Sequence, residues 1–299
     1  MLDVVIIGSG PAGITAAIYA KRANLNVAVV EKEYLGTGQI AESSRVDNYP
    51  GIPGIDGYSL GEKFREHAES LGVEFTEAQV LSLGQKDGIW IIGCDEDITL
   101  ESKAVIYATG CKNRPLGVPG EEKYYGRGLS FCAVCDGAFY KGKRVAVIGG
   151  GDTALDDAMY LSDICEKVYL VHRREFFRGS ASTLEKLKQK ENVEIIVNVR
   201  VEEITGDKKI DGIILDNKTK LNISGLFAAV GMIPHTELLK EFGVLDESNY
   251  VKASEDTKTT VNGLFAAGDV RTKQLRQVVT AAADGANAIY SVMEYLRNI

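Results

Sequence analysis

The residues best equipped for chemistry are Cys132 and Cys135 in the stretch "FCAVCDGAFY", a C-x-x-C pair followed directly by Asp136. That spacing admits half a zinc site, a structural disulfide, or a dithiol that opens and closes during turnover. A structural zinc needs four ligands. Cys94, Cys111 and Cys165 form no second close pair, and His67, His172 and His235 lie far off in sequence, so no metal is expected. A disulfide closing so short a loop constrains little chain. A redox pair explains the spacing if the chain also supplies electrons: one thiol attacks outward and the other resolves. Asp136 can then give a proton to a departing thiolate or take one from the attacking dithiol. Its plainer role is a carboxylate in the first turn of a helix.

An electron source is legible elsewhere. Leu2 to Ile7 reads as a buried strand. It runs into Gly8-Ser9-Gly10-Pro11-Ala12-Gly13, then the Ala-rich helix "ITAAIYAKRANL" and the strand "NVAVVEK". This is the strand, G-x-G-x-x-G, helix, strand setting that gives the fingerprint its meaning. Gly8 permits the tight turn, Gly10 lets backbone approach a pyrophosphate, and Gly13 lets helix pack on strand. The helix start offers free N–H groups and the positive end of a dipole. Glu31 ends the second strand, where a carboxylate suits ribose hydroxyls.

The pattern recurs in "KRVAVIGGGDTALDDAMYL", with Gly149-Gly150-Gly151-Asp152-Thr153-Ala154 followed by a helix and the strand "KVYLVHRREFFR". Gly8 to Glu31 is 23 residues, and so is Gly149 to His172. The acid position of the first unit is therefore His172 in the second, followed by Arg173, Arg174 and Arg178. Losing the acid and adding guanidinium groups suits a 2′-phosphate, which arginine grips bidentately. The first site is expected to hold FAD, since its turn and acid both address an ADP moiety, and the second NADPH. Near the C-terminus, "GLFAAGDVRTKQLRQVVTAAADGANAI" reads as a strand ending at Gly268-Asp269 and a helix from about Arg276. Asp269 can accept from sugar or ribitol hydroxyls.

These elements imply an α/β protein of two Rossmann-like dinucleotide-binding domains, the second inserted into the first. The expected boundaries are 1–113 with 240–299 for the FAD domain and 114–239 for the NADPH domain, which carries the C-x-x-C pair. The crossings fall in "IYATGCKNRP" and "FAAVGMIPHT". The chain is 45% hydrophobic and 25% charged over 299 residues, which is enough for packed cores in about two domains. A net charge of −8 argues against nucleic-acid binding. No apolar run is long enough for a membrane span, and the N-terminus has no basic leader. Five scattered cysteines do not form a secreted disulfide framework, so a cytoplasmic setting is expected.

The chain resembles, along its full length, the low-molecular-weight, bacterial-type thioredoxin reductases of the FAD/NAD(P)-dependent pyridine nucleotide-disulfide oxidoreductases. The matching features are "GSGPAGITAAIYAKRANL", "GQI" with "VDNYPG", "CAVCDG", "GGGDTA", "HRREFFR" and "GLFAAGDV" with "LRQVVTAAADGA". The resemblance implies an FAD-dependent homodimer passing electrons from NADPH, through flavin, to the dithiol and on to thioredoxin or a thioredoxin-like protein. By position, Cys135 is the flavin-proximal thiol, Cys132 the one that attacks thioredoxin, and Asp136 the acid-base group. The matching flavin positions include Lys32, Gly38, Gln39, Asn48, Val80, Gly110, Gly268, Asp269, Arg276, Gln277 and Val278.

Three positions depart from the family's common pattern. Val134 stands between the cysteines where threonine is common, Thr37 precedes Gly38 where glycine is common, and Glu175 replaces aspartate after the paired arginines. Rival readings are a flavin-dependent dithiol oxidase that uses oxygen and a flavin-binding redox sensor without turnover. The three arginines and the intact dithiol beside Asp136 speak against them, and also against ferredoxin as electron source. The dithiol and the second fingerprint share the inserted domain, so both are expected to reach one flavin by rotation of that domain, hinged near 110–115 and 231–239.

Overall fold

A computed structural model of the chain describes residues 1–33, 38–43 and 45–299; Thr37 lies outside them. Strand β1 (Leu2–Ile7) is apolar and buried on both faces from Val4 to Ile7, as the middle of a central parallel strand must be. Helix α1 (Pro11–Arg22) starts three residues before the Ala-rich run, because Pro11 sits at the first helical position, where a missing N–H costs nothing. Then come β2 (Val27–Glu31), α2 (Gly57–Ser70), β3 (Glu74–Glu77), and the antiparallel run β4 (Val80–Lys86), β5 (Ile89–Cys94) and β6 (Thr99–Tyr107). Asp56 caps α2, its carboxylate accepting from the Ser59 N–H at 2.9 Å.

A short strand, β7 (Cys111–Asn113), carries the chain into the second unit. There follow β8 (Leu129–Ser130), α3 (Ala133–Asp136), β9 (Arg144–Gly149), α4 (Asp152–Ser162), β10 (Lys167–His172), α5 (Ala181–Lys188) and β11 (Val193–Val197). An antiparallel trio, β12 (Val201–Thr205), β13 (Gly212–Leu215) and β14 (Lys220–Asn222), precedes β15 (Gly225–Ala229). The chain leaves through β16 (Met232–Pro234) and ends with β17 (Leu264–Ala266) and the 19-residue α6 (Val278–Leu296). Among the described residues no helix is long and apolar enough to cross a membrane.

Among the described residues, the first unit holds a seven-stranded sheet, β3-β2-β1-β6-β5-β4, with β17 also on β6. The length of β6 explains the extra neighbour. Its first half pairs with β5 and its second half, Val105–Tyr107, pairs in parallel with β17. Helices α1 and α6 pack closely on each other: a Cβ at Gly285 would lie 2.2 Å from the Ala12 carbonyl oxygen. The second unit holds a five-stranded sheet, β11-β10-β9-β15-β8, parallel throughout.

Two compact units result, Met1–Lys112 with Ile233–Ile299, and Asn113–Met232. The return crossing thus falls seven residues earlier than the expected 239/240. The reason is packing: Leu239 is fully buried in the core of the first unit with Trp90, Leu238 and Phe242, so the segment after β16 belongs there. Two other expectations need correction. The strand "KVYLVHRREFFR" ends at His172, and everything after it is loop. Strand β17 stops at Ala266, and Gly268–Val270 form a 3-10 turn.

Candidate active site: two nucleotide turns and a dithiol

In the first unit the fingerprint turn leaves the carboxyl end of β1, between β2 and β6. This is the strand-order reversal where open parallel sheets bind ligands. Gly8 has φ +104°, and a Cβ there would lie 2.5 Å from the Ala108 oxygen; a Cβ at Gly13 would lie 1.9 Å from the Gly8 oxygen. Neither position admits a side chain. Gly10 caps α1, followed by Pro11 and the buried Ala12. Glu31 closes the turn from β2: its Oε2 accepts from the Ser9 N–H at 2.8 Å and the Ser9 hydroxyl at 3.1 Å, and its Oε1 from the Lys32 N–H at 2.7 Å. The carboxylate expected to face ribose is thus also a brace for the phosphate turn. The Lys32 side chain is exposed.

Other flavin positions converge on the same edge. The Asn48 side-chain amide donates to Oε1 of Gln277 at 2.8 Å, joining residues 229 apart in sequence, while Gln277 caps α6 in a reciprocal bond with Thr280. Gly38 approaches Gly10, and Gln39 follows it in the same 3-10 turn. Val278 packs with Ile40, Val46 and Leu60. Val80 opens β4 against the core beneath β6, and Gly110 precedes β7 with φ +65°. Arg276 lies 4.2 Å over the Tyr250 ring and donates to the carbonyl of Asp269. Asp269, after Gly268, has one carboxylate oxygen that is buried with no partner among the described residues. Burial pushes its pKa up to about 6 against the pull of Lys273 and Arg276. A buried acceptor beside a turn closed to side chains fits the hydroxyl-rich part of a flavin nucleotide.

In the second unit Gly149 ends β9 and Gly151 caps α4, which opens with Asp152, the exposed Thr153 and the buried Ala154. A Cβ at Gly150 would lie 2.2 Å from the His172 ring. His172 is 7% exposed, its ring 4.8 Å from that of Phe177 and its Nε2 within 3.2 Å of the Phe176 carbonyl. Burial holds its pKa below the usual range. So His172 supports the turn from beneath. Arg173, Arg174 and Arg178 are exposed, and no carboxylate of the described residues pairs with them. The Arg178 N–H donates to the Gly150 carbonyl at 2.7 Å, tethering the basic loop to the fingerprint. A polar groove lined by Arg144, Glu166, Glu191 and Glu194 opens at the opposite, amino ends of these strands and takes no part.

The dithiol leaves the carboxyl end of β8, the same edge of the same sheet as this fingerprint. Cys132 and Cys135 form a disulfide with Cα atoms 5.3 Å apart, and Cys132 caps α3, its sulfur accepting from the Cys135 N–H. Val134 is exposed, so its methyl groups, in place of a hydroxyl, meet solvent or a partner. Asp136 is half-buried, and burial raises its pKa while a hydrogen bond from Ser130 opposes the rise. That bond runs from the Ser130 hydroxyl to Asp136 Oδ2 at 2.6 Å, and the same hydroxyl accepts from the Cys132 N–H at 3.1 Å. Ser130 thus links the Asp136 carboxyl to the dithiol loop. Sequence reading missed Ser130; its one signal is a small polar residue in an otherwise buried strand directly before "FCAVCD".

Comparison with known proteins agrees with this arrangement. The Pyridine nucleotide-disulphide oxidoreductase family matches residues 2–285. The chain is 38% identical over 305 residues to the thioredoxin reductase of Bacillus subtilis, covering 99% of this chain and 95% of the relative. It is 39% identical over 303 residues to a 34.2 kDa protein in the rubredoxin operon of Clostridium pasteurianum, covering 99% and 97%. The crystal structure of thioredoxin reductase from Streptococcus pyogenes superposes with a TM-score of 0.93 at 40% identity, covering 100% of this chain and 99% of that one. With a C-x-x-C disulfide and two dinucleotide turns in the family's order, the chain belongs to the pyridine nucleotide-disulphide oxidoreductases, in their bacterial-type thioredoxin reductase branch.

Proposed function

We propose that this oxidoreductase is an NADPH-dependent, FAD-containing thioredoxin-disulfide reductase. The observation that carries the reading is the Cys132–Cys135 disulfide beside the Ser130–Asp136 pair, on the sheet edge that also presents the second fingerprint. A bound flavin supplies the exchange between two-electron hydride chemistry and thiol chemistry. The fingerprint of the first unit, with Glu31 and Asp269, binds it; Gly149–Ala154 with Arg173, Arg174 and Arg178 binds NADPH. In the net reaction NADPH gives up a hydride, a proton is taken up, and one disulfide becomes two thiols.

Opening the Cys132–Cys135 bond releases Cys132 as the outward nucleophile and leaves Cys135 as the resolving sulfur. Attack by Cys132 on an acceptor disulfide expels one acceptor thiolate. Attack by Cys135 on the mixed disulfide expels the second and re-forms the Cys132–Cys135 bond. Asp136, half-buried and protonated over a wider pH range than an exposed carboxyl, supplies the proton to a leaving thiolate.

Three further cysteines, Cys94, Cys111 and Cys165, are buried and form no disulfide, in keeping with a reducing cytoplasm. The same reading includes a homodimer, to which we assign the exposed Tyr19 of α1 and Tyr290 of α6 as contacts. The test is steady-state reduction of a panel of oxidised thioredoxins and thioredoxin-like proteins with NADPH, NADH and reduced ferredoxin in parallel. NADPH-driven turnover of a thioredoxin-type disulfide is expected. Turnover with oxygen alone, or with ferredoxin in place of NADPH, overturns the reading.

A further inference from the structure

The basic loop after β10, residues 173–179, is closed on the second fingerprint at both of its ends. At its start, the His172 ring fills the space under Gly150, where a Cβ would lie 2.2 Å from it. At its end, the Gly150 carbonyl accepts from the N–H groups of Arg178, at 2.7 Å, and Gly179, at 3.2 Å. One residue further on, Asp152 Oδ1 accepts from the Ser180 N–H at 2.7 Å. That bond ties the first residue of α4 to the residue that caps α5, 28 positions away. Gly179 permits the approach: a Cβ there would lie 2.8 Å from the Asp152 nitrogen.

An acid is a costly residue at this place if the turn seats a diphosphate. A helix start holds phosphate through its free N–H groups and its positive dipole end. A carboxylate in the first turn occupies the same dipole end and repels that anion. The first fingerprint has Pro11 at the matching position, and the first turn of α1 holds no acid. The Asp152 side chain therefore earns its place by another task. Its carboxylate bonds outward, to the loop that carries Arg173, Arg174 and Arg178.

We propose that Asp152 is a positioning residue that sets nicotinamide specificity: by latching Ser180 it holds the arginine loop shut on the glycine turn, so that the guanidinium groups stand ready for a 2′-phosphate. The inference rests on the NADPH reading above and deepens it by naming what fixes the loop. An open loop gains chain entropy and spreads three like charges, which Glu175 alone offsets within it. A ligand that needs the closed loop is then weakened in proportion to the closed fraction. A nucleotide without the 2′-phosphate makes no such demand and loses little when the loop opens.

The latch needs an acceptor oxygen and a backbone donor, and each can be removed separately. Asp152→Ala deletes the acceptor, whereas Asp152→Asn keeps Oδ1 and deletes only the charge. Ser180→Pro attacks from the other side. Ser180 has φ −53°, within the range proline adopts, so the N–H is lost with the chain path unchanged. Ser180→Ala keeps the N–H and removes only the hydroxyl that accepts from the Thr183 N–H.

The test titrates adenosine 2′,5′-bisphosphate and AMP into FAD-loaded wild type and the four variants by calorimetry. The ratio of the two affinities should fall roughly tenfold in Asp152→Ala and Ser180→Pro, and stay within about twofold of wild type in Asp152→Asn and Ser180→Ala. Amide hydrogen exchange across 173–179, measured without nucleotide, should quicken in the first pair of variants and not in the second. A wild-type chain with no preference for the bisphosphate sinks the NADPH reading, and the proposal with it. A preference that survives in Asp152→Ala and Ser180→Pro overturns the proposal alone, and so does exchange that is equal in all five proteins.

Discussion

Cys132 and Cys135 form one disulfide, and we expect them to do unequal work. In Cys135→Ser, Cys132 should still attack oxidised thioredoxin, and with no resolving sulfur the mixed disulfide should persist; Cys132→Ser should trap none. Non-reducing electrophoresis with thioredoxin reads the difference, and the opposite pattern reverses the roles. Asp136→Asn should slow turnover by at least about a hundredfold, the usual worth of a placed general acid. We expect Ser130 to tune that acid. Its hydroxyl donates to the carboxylate and so favours the ionised form. Removing it in Ser130→Ala raises the Asp136 pKa further, and because the protonated carboxyl is the working form, the alkaline limb of the pH–rate profile moves to higher pH. Ser130→Thr keeps the donor and should keep the wild-type profile. A profile in Ser130→Ala that does not move rejects the tuning role.

At the scale of elements, the basic loop after β10 is separate from the strand that feeds it. His172 is the last strand residue and is turned under Gly150, so we expect specificity to rest on Arg173, Arg174 and Arg178, which pair with no carboxylate among the described residues. A lost charge-assisted contact costs ~1.5–3 kcal/mol, roughly tenfold or more per arginine. Replacing Arg173 and Arg174 by uncharged residues should therefore raise the Michaelis constant for NADPH strongly and leave that for NADH nearly unchanged. Equal losses for the two cofactors would show that the loop does not read the 2′-phosphate. Replacing His172 acts differently: with its ring supporting the turn, His172→Ala should weaken both nicotinamides together.

On the scale of the molecule, the residues proposed to hold flavin belong to the unit Met1–Lys112 with Ile233–Ile299. The dithiol and the second glycine fingerprint, proposed to bind NADPH, both belong to Asn113–Met232. Hydride transfer requires nicotinamide against the flavin, and dithiol reduction requires Cys135 there. One fixed arrangement does not serve both and also expose Cys132 to a protein substrate. We therefore expect the second unit to rotate during turnover, about the crossings that bracket β7 and β16, and such motions run in microseconds to milliseconds. A covalent cross-link between the units should preserve one half-reaction, either flavin reduction by NADPH or flavin-to-dithiol transfer, and abolish steady-state thioredoxin reduction. Normal turnover in the locked enzyme would end the rotation hypothesis.

Local rules account for most of what was legible in the sequence. Glycines at fixed offsets, an acid or a basic cluster at the end of the second strand, and a C-x-x-C with a following acid each act through neighbouring residues. Strand, turn and helix follow from them directly, as does the doubled nucleotide unit. Contacts between distant segments were not legible. Nothing near Ser130 says that its hydroxyl meets Asp136, since that depends on how the loop after β8 folds back. His172 reads as a ligand by offset and becomes a support because β10 ends where Gly150 leaves room only for a ring beneath it. Leu239 moved the domain boundary because burial against Trp90, far away in the chain, decides its allegiance. The Arg271–Asp284–Lys273 cluster is the clearest case: three ordinary charged residues in sequence become a buried, hydrogen-bonded set only when α6 docks on α1. Sequence determined where the two glycine turns and the C-x-x-C pair fall; the tertiary structure decided which side chains brace them, because burial and long-range pairing exist only in the folded chain.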